Sequence, residues 1–347
     1  MKIVHCIWSF NIGGAESMLV DIVNEQVKNN SVYLIIINNT YDPDLLSKVS
    51  PFVKVIKIKR KPNSRSILSI LKVNLILLRL LPDIVHIHNV FISRILVPLI
   101  SKRCFLTIHA LQIPVAQARH DVKLIAISQA VADDVKKNYN RNCIVIPNGI
   151  NIAAVKHGNI VNSKDTFKIV QVGRLDVETK GQDILIEAIR LLKLRHINVQ
   201  VYLIGDGGSR EELNRQVSIA GLEKDVFFMG ARDRDYIYGH LCDYDLMCQP
   251  SRYEGFGLTV AEGMAAKIPV LVSDSGGPYE LIQKGKYGFS FMINDPVDCA
   301  RMIEELMNNR EILWSKVEAA YHYVVDNFSL QKMVVSYMDE YQKTLDR

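Results

Sequence analysis

Two glutamates, Glu254 and Glu262, flank a Gly-Phe-Gly turn inside the stretch SRYEGFGLTVAEGMAAKIPVLVSDSGGPYE, residues 251–280. Glu254 falls in the loop after an apolar strand, Asp245–Cys248, and Glu262 about one turn into the helix that follows. Both carboxylates can therefore address one pocket, where they would accept hydrogen bonds from sugar or ribose hydroxyls. Gly255 and Gly257 have no side chain to keep a ligand away from backbone amides, and the helix N-terminus beyond them favours negative charge. The set suits a phosphorylated sugar. As an isolated pair, the same glutamates would read as a loop carboxylate and an exposed helical one.

Further groups complement that chemistry. Arg174 and Lys180 flank a loop after the apolar strand ending at Val172, with Gly181 ahead of a helix. Charge builds on a diphosphate as its bond to a sugar breaks, so two preplaced cations stabilise the transition state more than the ground state. Gly13 and Gly14 follow the first strand and precede a helix. They form either an amide-lined turn able to approach phosphate or the acceptor, or simply a tight strand-to-helix turn. No third glycine completes G-x-G-x-x-G and no acid closes the second strand at Ile37–Asn38, which disfavours a nicotinamide role. His86 and His88 alternate along a strand and share a face. His88, nearer the carboxyl end, is the better candidate to meet a ligand, with His86 a hydrogen-bonded core group. His109 ends the run TIHA. The spacing of His86, His88 and His109 is not that of a metal site, and no Asp-x-Asp follows a strand.

Short β-branched runs alternate with helical patterns from end to end, the signature of βαβ units and parallel sheets. Strands are expected near Ile3–Trp8, Val32–Ile37, Val53–Ile58, Ile84–His88, Phe105–Ile108, Leu124–Ile127 and Ile144–Ile146, with helices over Ala15–Asn29, Ser66–Leu81, Phe91–Ser101 and Ser128–Asn138. The second half repeats the scheme at Lys168–Val172, Val199–Ile204, Val226–Met229, Leu246–Cys248 and Val270–Ser273. The Asn- and Gly-rich stretch Asn148–Thr166 reads as the linker. A length of 347 residues with 48% hydrophobic content suits two cores. Most of the candidate residues follow strands, where open α/β sheets bind ligands.

A net charge of +5 does not suggest a nucleic-acid protein, although the stretch from Lys48 to Arg79 holds no acid. Six scattered cysteines, Cys6, Cys104, Cys143, Cys242, Cys248 and Cys299, read as reduced core thiols, which points to the cytoplasm. Met1–Trp8 reaches polar residues too soon for a signal peptide. Ile67–Leu81, interrupted by Lys72, Asn74 and Arg79, is too short to span a bilayer.

The Glu-x7-Glu arrangement with EGFG between, followed by PVLVSDSGGPYELI, resembles the donor-site signature of glycosyltransferase family 4, whose members share the GT-B fold. The resemblance extends to GGAE at Gly13–Glu16, DIVHIHN at Asp83–Asn89, TIHA at Thr107–Ala110, PNGI at Pro147–Ile150, VGRLDVETKGQDILIEA at Val172–Ala188 and GDG at Gly205–Gly207, in order and over nearly the whole chain. It implies two doubly wound Rossmann-like domains facing across a cleft: an acceptor domain over 1–160, a nucleotide-sugar domain over 161–327, and a terminal helix over 328–347 that returns to the first. It also implies retention at the anomeric carbon. Arg174 and Lys180 would bind the diphosphate and Glu262 the ribose, while Glu254 with the backbone around Gly255, Phe256, Gly257 and Leu258 would hold the transferred sugar. His109 would lie beside the anomeric centre, its near-neutral pKa letting it donate to or orient the sugar. No divalent metal or other cofactor is expected, Arg and Lys taking over that electrostatic task.

The expected donor is a nucleoside-diphosphate sugar, uridine-linked before guanosine-linked, and the acceptor a saccharide. The apolar excess of Ser66–Leu81 beside the basic run Lys54–Arg65 fits either a buried helix next to a solvated basic loop or a peripheral contact with an anionic membrane face, which would make the acceptor lipid-linked. An epimerase or hydrolase of the same fold, and a non-catalytic binding protein, are the competing classes.

Overall fold

The computed structural model describes residues 1–64, 66–158 and 166–346. The chain divides into two compact units, Met1–Gly149 with Leu330–Arg347, and Ile150–Ser329. The first unit holds seven strands: β1 Lys2–Ile7, β2 Ser31–Asn38, β3 Lys54–Arg60, β4 Ile84–Ile87, β5 Cys104–Ile108, β6 Lys123–Ala126 and β7 Ile144–Val145. They form one sheet ordered β3-β2-β1-β4-β5-β6-β7, and every pair is parallel. The second unit holds β8 Phe167–Val172, β9 Val199–Ile204, β10 Val226–Gly230, β11 Leu246–Gln249, β12 Val270–Ser273 and β13 Phe289–Phe291, ordered β10-β9-β8-β11-β12-β13. Helices cover both faces of such sheets, so the central strands are buried throughout: Ile3, Val4, Cys6, Ile169, Val170, Leu246 and Met247 are all inaccessible to solvent.

Strand order reverses between β1 and β4 in the first sheet and between β8 and β11 in the second. Loops leaving the carboxyl ends of neighbouring strands part company there and leave a crevice, the usual seat of a ligand in this architecture. The motif residues cluster at these two places. Gly13 follows β1 and His88 follows β4, whereas Arg174 follows β8 and Glu254 follows β11.

Several elements differ from the periodicity-based expectation. The helix foreseen over Phe91–Ser101 is two pieces, Val90–Ile95 and Pro98–Ser101, because Pro98 removes an amide and forces Val97 to extended geometry. Strand β13 was not foreseen, being three residues long with only Phe289 and Phe291 facing inward. The strand expected near Val53–Ile58 is present as β3, Lys54–Arg60, so only the reading of its basic residues as part of a solvated loop changes: they lie at the sheet edge, where lysines protect unpaired backbone from another chain. Lys57 lies over the Tyr41 ring at 4.1 Å. Arg65, the last residue of that basic run, lies outside the described residues.

Of the stretch read as a linker, Ile150–Gly158 is packed onto the second unit. Lys156 N donates to Tyr238 O at 2.9 Å and Gly158 N to Ala266 O at 3.0 Å. Residues 159–165 lie outside the described part. The helix Leu330–Leu345 packs within the first unit, burying Tyr337 and Tyr341 completely.

Among the described residues, no helix is long and apolar enough to cross a membrane. All six cysteines are free thiols.

Candidate functional site

In the second unit, Glu254 is the centre of a charged cluster. Its Oε1 meets Lys180 Nζ at 2.9 Å, and its Oε2 accepts from Ser251 Oγ at 2.7 Å and from Gln249 Nε2 at 3.2 Å. Ser251 is fixed in turn, since Gln249 Nε2 donates to its Oγ at 2.9 Å and Ser273 Oγ donates to its carbonyl at 2.5 Å. Burial alone would push the Glu254 carboxyl up. The Lys180 charge and the donors Ser251, Lys180 and Gln249 together outweigh it and hold the group below the usual glutamate range. Glu254 is thus a preoriented carboxylate, not the solvated loop group that isolated reading allows, and Lys180 is not a loose surface cation.

The two loops that carry this pair are tied together by backbone and side chain. Arg252 makes a bidentate pair with Asp183, 2.8 and 2.7 Å, while the amides of Arg252 and Tyr253 both donate to Thr179 O, at 2.9 and 3.1 Å. Buried Gln171 donates to Lys180 O at 3.1 Å and buried Gln182 to Arg174 O at 2.9 Å, so the segment 174–180, which ends in the short helix Val177–Lys180, is fixed from beneath. Arg174 itself is mostly exposed, 71% for its side chain, and reaches Asp176 only at 3.6 Å. It stands free to take a ligand, whereas Lys180 must share itself with Glu254.

Two glycine contacts set how tightly these loops nest. A Cβ on Gly205, whose φ is +146°, would lie 1.9 Å from Gly173 O. A Cβ on Gly277 would lie 2.4 Å from Gly255 O, and the Gly277 amide donates to Glu254 O at 2.9 Å. The Ser-Gly-Gly segment after β12 therefore holds the Glu254–Gly257 turn by its backbone. Gly257, at φ +97°, caps the helix Leu258–Ala265. Phe256 is buried edge-on against Phe328, ring centres 5.5 Å apart, so its contribution to a ligand is confined to its backbone. Glu262 lies on that helix with only 6% of its surface exposed, which replaces the exposed helical group of isolated reading. Leu258 is the helix's first residue.

In the first unit, Gly13 caps the helix Gly14–Gln26 in an extended conformation at φ −168° that any residue could adopt. The obstacle to a side chain is the carboxylate of Glu16, which folds back to 2.4 Å from a would-be Cβ. Burial raises the Glu16 carboxyl above its usual value. His109 follows β5 and donates to or accepts from His88 at 3.2 Å. Its expected near-neutral titration is corrected here: burial pushes it down to about 4, so the ring is a neutral imidazole at physiological pH.

Neither the motifs nor the spacing singled out Gln171, Gln182, Gln249, Ser251, Arg252 or Asp183 as supports of the site. A polar residue closing an apolar strand, as Gln249 closes β11, was the available signal.

Two Rossmann-like units, each with its polar groups gathered where the strand order reverses, define the GT-B glycosyltransferases. The chain belongs to the family 4 type among them: residues 12–154 match the family model described as Glycosyltransferase Family 4, and residues 155–322 that described as Glycosyl transferases group 1. An uncharacterized glycosyltransferase of Methanocaldococcus jannaschii is 30% identical over 65% of this chain and 60% of its own length. The lipopolysaccharide core biosynthesis glycosyltransferase LpsE of Rhizobium meliloti is 27% identical over 54% of this chain and 53% of its own. The chain therefore spans little more than half the length of these relatives. Anabaena HepE, solved in complex with UDP-glucose, superposes with a TM-score of 0.82 at 22% identity, covering 100% of this chain and 99% of that one, which bears on the fold.

Proposed function

We propose that the protein is a retaining glycosyltransferase that moves a hexose or N-acetylhexosamine from a UDP-sugar to a saccharide acceptor in the assembly of a surface polysaccharide or related glycan. The carrying observation is the preoriented carboxylate of Glu254 paired with Lys180 at 2.9 Å, with the largely exposed Arg174 six residues before Lys180 on the same segment. Glu254 accepts hydrogen bonds from the transferred sugar, and Lys180 bridges between it and the departing diphosphate. Arg174 neutralises the outer phosphate, and Glu262 takes the ribose hydroxyls. The backbone of Gly255–Leu258 and the turn at Gly13 and Gly14 supply amides to the sugar and to phosphate or acceptor. Cations preplaced where charge develops require no reorganisation during the step and take the place of a divalent metal. Attack and departure share one face of the sugar, with the leaving diphosphate helping to deprotonate the acceptor. The uridine preference is supported by the UDP-glucose of the Anabaena structure, and the glycan context by the lipopolysaccharide relative.

The acceptor is lipid-linked in this reading, because the helix Ile67–Leu80 buries only Val73, Asn74 and Leu77. Its other side shows Leu68, Leu71, Leu75 and Leu78 to solvent at 76%, 58%, 48% and 39%. Leucines three and four apart form one stripe, and Lys72 and Arg79 sit on the same acid-free segment, the pattern of a helix lying on an anionic bilayer surface. Incubation with a panel of nucleotide sugars tests the whole reading. Nucleotide release that requires a lipid-diphosphate saccharide acceptor is expected; acceptor-free isomerisation or hydrolysis would indicate an epimerase or hydrolase, and binding without turnover a non-catalytic protein.

A further inference from the structure

The first unit contains a buried chain of imidazoles that the reaction above leaves unused. Gln26 Oε1 lies 2.8 Å from His5 Nε2, His5 Nδ1 lies 3.0 Å from His88 Nε2, and His88 Nδ1 lies 3.2 Å from His109 Nε2. Strand register assembles it: His5 on β1 is paired with His86 on β4, and His88 lies two residues on, on the same face. The rings of His5 and His88 stack at 5.3 Å and those of His88 and His109 at 5.4 Å. His86 is a side branch, bonded through Nδ1 to the Tyr341 hydroxyl and through Nε2 to Thr107 Oγ1 at 2.7 Å.

A neutral imidazole has one N–H and one lone pair, so a row of them has a direction. Two N–H groups, or two lone pairs, facing each other at these distances would leave buried polar atoms unsatisfied. Fixing one ring therefore fixes all three. At the inner end the Gln26 carbonyl can only accept. The proton of His5 is then on Nε2, as are those of His88 and His109. His109 Nδ1, which has no hydrogen-bond partner among the described residues, is left as a lone pair.

We propose that Gln26, His5 and His88 are positioning residues that hold His109 in the Nε2–H form, so that its Nδ1 accepts a hydrogen bond from a hydroxyl of the bound saccharide. The inference rests on the transferase reading and deepens it, giving His109 the role of acceptor. Burial keeps the row neutral, pushing His5 and His109 down to about 4 and His88 well below its ordinary value. The rings of His5, His86 and His88 also bring nitrogens within 4.8 Å of one another, as a metal site would. All six of those nitrogens already have partners, so a cation would have to break the row. Gln26 Nε2 is buried without a partner in this orientation. The opposite amide orientation would reverse every proton, which makes the direction a decisive observable.

Two-bond proton–nitrogen spectra of the histidine-labelled full chain test it. His109 should show a protonated Nε2 and a bare Nδ1, unchanged between about pH 5.5 and pH 8. A protonated Nδ1, a ring titrating near its ordinary value, or stoichiometric displacement of the His5, His86 and His88 signals by added Zn²⁺ would each overturn the proposal. Gln26→Leu should mix the tautomers and lower kcat about tenfold with little change in the donor KM, the equivalent of one neutral hydrogen bond lost from the transition state. Gln26→Glu, which keeps an acceptor oxygen, should restore both readouts. If Gln26→Leu does not fold, the wild-type spectra and Gln26→Glu decide alone. The expected tautomer in a protein that transfers no sugar would sink the functional reading and leave the row of imidazoles standing.

Discussion

Removing the ammonium of Lys180 should expose how much of the second unit's stability depends on the Glu254 pair. The charges meet at 2.9 Å, and only 21% of the Lys180 and 12% of the Glu254 side chain is exposed. At an effective dielectric of about 20, the attraction is roughly 6 kcal/mol before desolvation is subtracted. Breaking a buried pair from one side costs about 3–5 kcal/mol. Ser251 and Gln249 remain on the carboxylate and Lys180 is partly wet, so we expect Lys180→Met to cost about 2–3 kcal/mol. Adding Glu254→Gln removes the stranded charge and should recover most of that loss, giving a coupling of about 2 kcal/mol in a double-mutant cycle.

The pH dependence of this effect has a defined sign. The folded-state pKa of Glu254 is depressed, so its contribution is present above the ordinary glutamate value and is lost as pH falls through the depressed one. Without Lys180, burial dominates and raises the folded-state pKa, and the contribution is then lost as pH rises. The deficit of Lys180→Met should therefore be largest near neutrality and shrink toward about pH 4.5. Urea unfolding followed by Trp314 fluorescence reads this out, because Trp314 packs on the core of the second unit, and Trp8→Phe removes the chain's other tryptophan. A deficit equal at both pH values, or strictly additive mutations, would refute the reasoning.

Arg174→Ala should leave the urea midpoint unchanged, its side chain being 71% exposed, while turnover falls by about two orders of magnitude in initial-rate assays. Unaltered turnover would remove it from the diphosphate site. Gly205→Ala should destabilise the second unit by about 2–3 kcal/mol, because the new methyl meets Gly173 O at 1.9 Å and the backbone is at φ +146°; denaturant titration measures the loss. Leu71→Asp together with Leu75→Asp, at positions 58% and 48% exposed, should change stability by less than about 0.5 kcal/mol. The same pair should abolish flotation with vesicles rich in anionic lipid, and undiminished flotation would count against a membrane-facing helix.

Elements with long, uniform apolar strands were legible from sequence because burial on both faces leaves no other composition open to them. Glu254 and Lys180 were legible as chemistry only through the motifs around them, since as isolated charges they would pass for a loop carboxylate and a surface cation. Their partnership was not, because it depends on how two loops from different strands meet, which Arg252 and Asp183 decide at 2.7–2.8 Å. The His109 titration was misjudged for a similar reason. Its surroundings are supplied by residues far away in sequence, and local composition is silent about desolvation. The break at Pro98 was passed over although proline marks it locally, whereas β13 left no mark, since a strand of three residues lacks the length for a pattern.

The segment Leu330–Leu345 belongs to the first unit although it is made after the second. Tyr337 and Tyr341 close over His86, so the earlier-made sheet lacks part of its interior until Leu345 has left the ribosome. Ile150–Ser329, contiguous in sequence, has no such wait. Multidomain chains generally mature in the order of synthesis; here the second unit has all of its chain before the first unit receives its last helix, so the later-made half can settle first.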